Sequence, residues 1–120
     1  MPYARIEIAA GHSAQEKSAL LAAVDAAFVA TLGVPPKDAF LRLFEFAPEN
    51  AWVPAHHGAR FTFIEIQLFA GREASVKSAL YRALTGRLGA LGVPARDLTI
   101  ALIDLPRHDW GIAGGTDGGP

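Results

Sequence analysis

Lys17-Ser18-Ala19-Leu20 returns sixty residues on as Lys77-Ser78-Ala79-Leu80, and this recurrence decides the fold. Around it, Gly11 returns as Gly71 at the same spacing, and Gly33-Val34-Pro35 returns as Gly92-Val93-Pro94 at a spacing of fifty-nine. Asp38 then matches Asp97, and Leu43 matches Leu102. An alanine-rich chain produces isolated coincidences, but identical runs kept in one order are the mark of a duplicated unit.

Each copy reads as strand, helix, strand. Tyr3 to Ala9 alternates, with Ile6 and Ile8 on one face and Arg5 and Glu7 on the other. Ser13 offers an N-cap and Glu16 completes a capping box. Leu20, Val24, Phe28 and Leu32 form an apolar helical stripe, which Gly33 and Pro35 terminate. Ala39 to Phe46 is the second strand. In the second copy, Phe61 to Phe69 reads as a strand and about Ala74 to Leu91 as a helix striped by Val76, Leu80, Leu84 and Leu88. Leu98 to Leu105 is the last strand. Gly86 and Gly89 each weaken that helix by roughly 1 kcal/mol against alanine, and are read as allowing close packing on the sheet. Ala47 to Arg60 is a long connection, a class usually functional or linking.

A strand-helix-strand crossover yields two parallel strands with a right-handed connection. Two such units share one sheet if a local two-fold relates them, and the strands meeting at the axis then run antiparallel. The expected fold is therefore α+β: two tandem β-α-β units, about 2–46 and 61–105, in one four-stranded mixed sheet with two helices on one face. The whole chain, 1–120, reads as a single domain, with 106–120 as a C-terminal turn or hairpin. This topology brings Pro2 beside the stretch from Phe69 to Arg72. Two helices cover only one sheet face, and the other keeps bulky residues, among them Phe40, Phe44, Phe61 and Phe63. Sheets containing parallel pairs rarely leave a face in water, so an oligomer is expected.

The composition narrows the function. With 51% hydrophobic and 19% charged residues, the 120-residue chain can build a core. The net charge of -1, with no basic stripe, gives no support for nucleic-acid binding. Cysteine is absent, which removes disulfides, thiol chemistry and cysteine metal sites. No apolar run reaches the ~18 residues of a membrane span, and the start from Met1 to Glu7 lacks the pattern of a secretory signal. A cytoplasmic protein with no membrane partner is expected. His56-His57 has no supporting metal-ligand spacing, so no metal is expected and both read as loop histidines. Gly111 to Gly115 lacks the lysine and helix of a phosphate loop and reads as a tight turn.

Pro2 has two readings. It is a suitable opening residue for an edge strand. If Met1 is cleaved, it also becomes a free, rigid secondary amine at the head of a strand. An α-amine titrates near pH ~8 in model peptides, and burial or a nearby cation lowers that value. A base titrating near the working pH is efficient at removing a proton next to a carbonyl. The second copy has Thr62 at this place, mid-chain and without an amine, so each chain holds one such site.

Met1-Pro2, Gly71-Arg72, Lys77 with Leu84-Thr85-Gly86, Gly33-Val34-Pro35 with Asp38, and the tail from Asp109 to Gly115 together resemble the tautomerase superfamily. The resemblance covers nearly the whole chain. In fused length the chain is similar to the malonate semialdehyde decarboxylase branch, whereas the 4-oxalocrotonate tautomerase branch uses a single unit. The resemblance implies a homotrimer, no cofactor, and Pro2 as the catalytic general base or acid. It implies Arg72 as the cation for a substrate carboxylate, although an exposed arginine at a helix start is the plain alternative. Asp38 matches an acidic residue that the decarboxylase branch uses to activate water or orient substrate. Asp97 in the second copy equally supports a turn-forming role for Asp38. Phe69 and Trp110 are expected as hydrophobic pocket walls, with a core role the alternative for Trp110. His12 stands where single-unit relatives carry arginine and reads as a polar turn residue. The second arginine of the decarboxylase and dehalogenase branches is missing from Leu68-Phe69-Ala70-Gly71, leaving Arg42, Arg60 or Arg107 as substitutes.

The implied activity is cofactor-free keto–enol tautomerisation of a small 2-oxo acid or related enol, a small carboxylate substrate. A decarboxylase or hydratase resembling malonate semialdehyde decarboxylase is the enzymatic alternative. A trimeric binding module with a vestigial proline is the non-enzymatic one.

Overall fold

In the computed structural model, which describes residues 1–117, the two copies fold alike. The first gives β1 (Tyr3–Ala9), α1 (Ala14–Leu32) and β2 (Phe40–Phe46), and the second gives β3 (Thr62–Phe69), α2 (Ala74–Ala90) and β4 (Leu98–Leu105). A two-residue hairpin, β5 (Gly111–Ile112) with β6 (Thr116–Asp117), follows. The expected C-terminal turn therefore forms, while its last residues, 118–120, lie outside the described residues.

The sheet runs β2-β1-β3-β4. β1 pairs parallel with β2, β3 pairs parallel with β4, and β1 meets β3 antiparallel. The antiparallel register runs from Tyr3 opposite Gln67 to Ile8 opposite Thr62. Its centre is Arg5 opposite Glu65, equivalent positions of the two copies carrying opposite charge. The expected local two-fold is thus present in the strand pairing.

Alternation puts Ala4, Ile6 and Ile8 of β1, and Ile64, Ile66 and Leu68 of β3, on the helix side, where all are buried. Leu20, Val24 and Phe28 of α1 and Leu80, Leu84 and Leu88 of α2 close over them in one core. Burying each such side chain contributes about 1.5–3 kcal/mol. The capping box at the start of α1 forms: Glu16 N–H donates to Ser13 Oγ at 3.1 Å, and Ser13 N–H donates to Glu16 Oε1 at 3.0 Å. These bonds hold the Glu16 carboxyl below its ordinary range. Gly33 ends the helix at φ 69°, a left-handed conformation that suits glycine. The repeated lysines have repeated partners, Lys17 with Glu45 and Lys77 with Asp104, each tying a helix to an edge strand.

Three local expectations change. Phe61 lies ahead of β3, not on the sheet, with its ring 4.7 Å from that of His57. Gly86 and Gly89 are exposed, and a Cβ at either meets nothing within 4 Å, so they bring no surfaces together. Strand β2 starts at Phe40 and α2 stops at Ala90.

Opposite the helices, the sheet shows Phe40 and Phe44 at 51% and 43% exposure. Arg42 lies 4.8 Å above the Phe40 ring and Arg5 lies 4.7 Å above that of Phe44. Guanidiniums laid on aromatic faces partly shield them but do not bury them. No described helix is long and apolar enough to cross a membrane.

Candidate active site

The chain begins at one end of the sheet, between β2 and β3. Pro2 is buried, and its carbonyl accepts a hydrogen bond from Phe40 N–H at 3.0 Å. The register of β1 against β3 then carries the amino terminus past Gln67 towards the end of β3. With Met1 in place the terminal amine belongs to Met1, directly before Pro2. It is held below its ordinary value chiefly by burial; Asp38 pulls it up, while Arg72 and Arg107 push it further down. Both cations therefore act with burial to favour the neutral, basic form.

Arg72 stands in the turn between β3 and α2, half-buried, and its Nη1 donates to the Phe69 carbonyl at 3.3 Å. Phe69 closes β3. Its ring meets Trp110 edge-on at 5.3 Å, and Trp110 lies 5.4 Å from Tyr3, which meets Phe40 at 5.5 Å. These four rings run continuously from the last residue of β3 to the first of β2. Trp110 is set in place by its own indole N–H, which donates to the Leu105 carbonyl at 3.3 Å. Arg107, on the short helical turn after β4, lies 4.4 Å above the Phe69 ring.

Asp38 acts on the amine through its charge, from the turn before β2. That turn is held from α1, because Lys37 N–H is bonded to both carboxylate oxygens of Asp25 at 3.2 Å. Lys37 sits at φ 61°, a left-handed conformation unfavourable for a side-chain-bearing residue. The Asp25 clamp offsets that strain and fixes the residue next to Asp38.

The opposite end of the sheet is the same unit with the opening filled. Asp97, the counterpart of Asp38, is 1% exposed. Its oxygens accept Gly58 N–H at 2.6 Å and Arg60 N–H at 3.1 Å. Thr62, the counterpart of Pro2, donates its hydroxyl to the Arg60 carbonyl at 2.9 Å. His12, the counterpart of Arg72, bonds the Ala9 carbonyl through Nδ1 at 3.0 Å, the same contact that Arg72 makes to Phe69. His57 is tied to the Arg96 carbonyl at 2.6 Å. Among the described residues no group of three or more metal-ligating side chains converges.

Pro2, Asp38, Arg72, Phe69 and Trp110, far apart in sequence, thus gather at one end of the sheet. Of the three candidate second arginines, Arg107 joins them. Arg42 lies over Phe40 on the open face, and Arg60 reaches Leu91 at the filled end. Sequence reasoning missed Tyr3 as the ring joining Trp110 to Phe40. It also missed a further echo of the repeat, Pro48-Glu49-Asn50-Ala51-Trp52 against Pro106-Arg107-His108-Asp109-Trp110, which places Arg107 and Trp110 on one turn. A groove of about 470 Å³ runs between α1 and β2, lined by Leu21, Ala22, Leu41 and Phe40; it adjoins the turn that carries Asp38 but includes none of the charged groups around the amine.

Two family models, each described as tautomerase enzyme, match residues 40–113 and 2–61. A 2-hydroxymuconate tautomerase of Comamonas testosteroni is 34% identical over 53 residues, 43% of this chain and 84% of that protein. Among solved structures, a fused 4-OT determined as a symmetric trimer is 33% identical, with a TM-score of 0.85 over 96% of this chain and 94% of that one. A malonate semialdehyde decarboxylase inhibited by 3-bromopropiolate is 27% identical, with a TM-score of 0.85 over 96% and 92%.

Proposed function

Because this chain belongs to the tautomerase family of enzymes, we propose that it moves a proton between carbon and oxygen of a small 2-oxo acid or its enol, with the Pro2 amine as base. The reading requires removal of Met1, which transfers the terminal amine to Pro2. The observation that carries it is the setting of the amino terminus: half-buried, beside two arginines and walled by aromatic rings. Burial and the two arginines favour the neutral form of the terminal amine, the form that can accept a proton. Arg72 holds the substrate carboxylate through its guanidinium fork. Phe69 and Trp110 wall off water, which strengthens each charge interaction within. Pro2 takes the proton from one position, becomes the ammonium beside Asp38, and returns the proton at another. No cofactor enters this scheme.

Asp38 supports a second reading. It acts on the amine in the sense opposite to burial, favouring the protonated form. A protonated proline is an acid, and that route leads to hydration or decarboxylation. The similarity to a malonate semialdehyde decarboxylase keeps that reading in view.

Self-association fits the bare sheet face, and the relatives solved as trimers support it. A homotrimer working in the cytoplasm is the form proposed.

Mass spectrometry of the purified protein tests the premise, since retained Met1 leaves no free proline nitrogen. Ketonisation of phenylenolpyruvate by the processed protein and by Pro2→Ala tests the chemistry. Equal rates would remove Pro2 from the mechanism.

A further inference from the structure

A left-handed residue that carries a side chain is held by its surroundings, and such strain gathers at functional sites. Lys37 is one, at φ 61°. It stands in the β-turn from Pro35 to Asp38, closed by Asp38 N–H donating to the Pro35 carbonyl at 3.2 Å. Pro36 suits the second position of that turn, but a positive φ at the third ordinarily selects Gly or Asn. What holds a lysine there comes from α1: Lys37 N–H donates to both carboxylate oxygens of Asp25 at 3.2 Å. A hydrogen bond to a charged acceptor is the stronger kind. Phe40 N–H, two residues beyond Asp38, donates to the Pro2 carbonyl at 3.0 Å, so the turn and the head of β1 are joined through the backbone.

The second copy builds the same turn without either feature. Arg96, the counterpart of Lys37, lies in the short helical turn Ala95–Asp97, an ordinary right-handed conformation. Thr85, the counterpart of Asp25, donates its hydroxyl to the Tyr81 carbonyl of its own helix at 2.8 Å. There the carboxylate is fixed directly, since Asp97 accepts the Gly58 and Arg60 N–H groups. Strain and clamp thus occur together, in the copy whose aspartate acts on the amino terminus.

We propose that Asp25 is a positioning residue for the Pro2 amine: by holding the Lys37 amide it fixes the turn, and with it the place of the Asp38 carboxylate relative to the head of β1. The inference rests on the proposed reaction, in which Pro2 is the base. The charged groups acting on the amino terminus are Asp38 from the turn before β2, Arg72 from the turn before α2 and Arg107 from the turn after β4, with the Tyr3 phenol next along β1. Of the three charges, Asp38 favours the ammonium and the arginines oppose it. Releasing the turn spreads Asp38 over many positions and weakens its pull. The amine then stays neutral to lower pH, and the acid limb of kcat/KM moves the same way, the direction expected of Asp38→Ala.

The test titrates the Pro2 nitrogen by NMR and records kcat/KM against pH for phenylenolpyruvate ketonisation, all with Met1 removed. Asp25→Ala is expected to lower the titration midpoint and the acid limb, by no more than Asp38→Ala does. Its Lys37 amide should exchange about tenfold faster, as loss of one hydrogen bond allows. Asp25→Asn removes the charge but keeps an acceptor oxygen, and is expected to titrate as wild type. Lys37→Gly takes the left-handed conformation without strain, so adding Asp25→Ala to it is expected to shift nothing further. Asp25→Ala in an Asp38→Ala background is likewise expected to add no shift, because both act through one carboxylate. Circular dichroism verifies the fold of each variant. An unmoved midpoint in Asp25→Ala overturns the assignment. So does an equal shift in Asp25→Asn, which makes Asp25 a charge acting directly, or an undiminished shift in the Asp38→Ala background. If Pro2→Ala is inactive while Asp25→Ala titrates as wild type, only the role of Asp25 falls. If Pro2→Ala is fully active, the tautomerase reading falls, and the titration of the Pro2 nitrogen still decides what Asp25 positions.

Discussion

At the end of the sheet where β1 begins, Asp38 faces an amino terminus, while at the end where β3 begins, Asp97 faces the backbone N–H groups of Gly58 and Arg60. The two carboxylates occupy equivalent places in equivalent units. What separates them is the chain in front of the strand. Residues 58–61 lead into β3 and fill the space below Asp97, whereas Asp38 acts on the amine of Met1, directly before Pro2. Fusion of two copies thus yields one open end and one filled end without changing the unit. The tryptophans follow the same logic. Trp110 rests on Phe69, but the equivalent of Phe69 in the first copy is Ala9, and Trp52 meets no ring among the described residues and is 100% exposed.

The most severe way to break this comparison is to give the first end the lead-in of the second. Placing Gly-Ala-Arg-Phe, the sequence of residues 58–61, ahead of Pro2 is expected to lower kcat/KM by about 10²–10⁴-fold, the contribution of a positioned general base. Circular dichroism and oligomer size should stay as in wild type. Retained activity would mean that the free amine is not the base.

The paired aspartates sharpen the contrast next. Asp97→Ala strands two half-buried N–H donors and is expected to cost about 2–3 kcal/mol in urea unfolding. Asp38→Ala strands none and is expected to cost under about 1 kcal/mol, its effect falling on the pH profile instead. Because Asp38 raises the terminal amine, its removal is expected to move the acid limb of kcat/KM to lower pH.

The helices offer a smaller contrast. α1 has a capping box, and α2 has no side-chain cap and two exposed glycines. Ser13→Ala is expected to destabilise by about 1 kcal/mol, and Gly86→Ala to stabilise by up to about 1 kcal/mol, both read by thermal unfolding. The Glu16 carboxyl is held below its unfolded value, so its contribution is present above that value and is lost as pH falls through the folded one. Ser13→Ala should therefore lose most of its effect in acid. The smallest expected effect is that of His12→Arg. It restores an arginine at the filled end, where no amine stands, and should leave kcat/KM within about twofold of wild type.

The repeat made much of this legible. Two hydrophobic periodicities, the Ser13–Glu16 box and the Gly33 stop placed the first strand and first helix to within a residue or so, because helix and strand periods are local properties of the chain. The handedness of the crossovers and the two-fold followed, and with them the meeting of Pro2 and Arg72. The glycines of α2 were misread because sequence marks where a side chain is missing but not whether anything approaches.

What the amino-acid sequence determined by itself was the duplicated unit, the order of its elements and the single proline at its head. Tertiary structure alone decided which arginine joins Arg72 and which aspartate is buried. Arg42, Arg60 and Arg107 are alike as residues, and Asp38 and Asp97 are alike as repeat positions. They differ only in what the folded backbone brings alongside: the Phe69 ring for Arg107, and two amide N–H groups for Asp97. Short-range patterns fix local conformation, whereas electrostatic role depends on neighbours distant along the chain, and only the closed sheet supplies those.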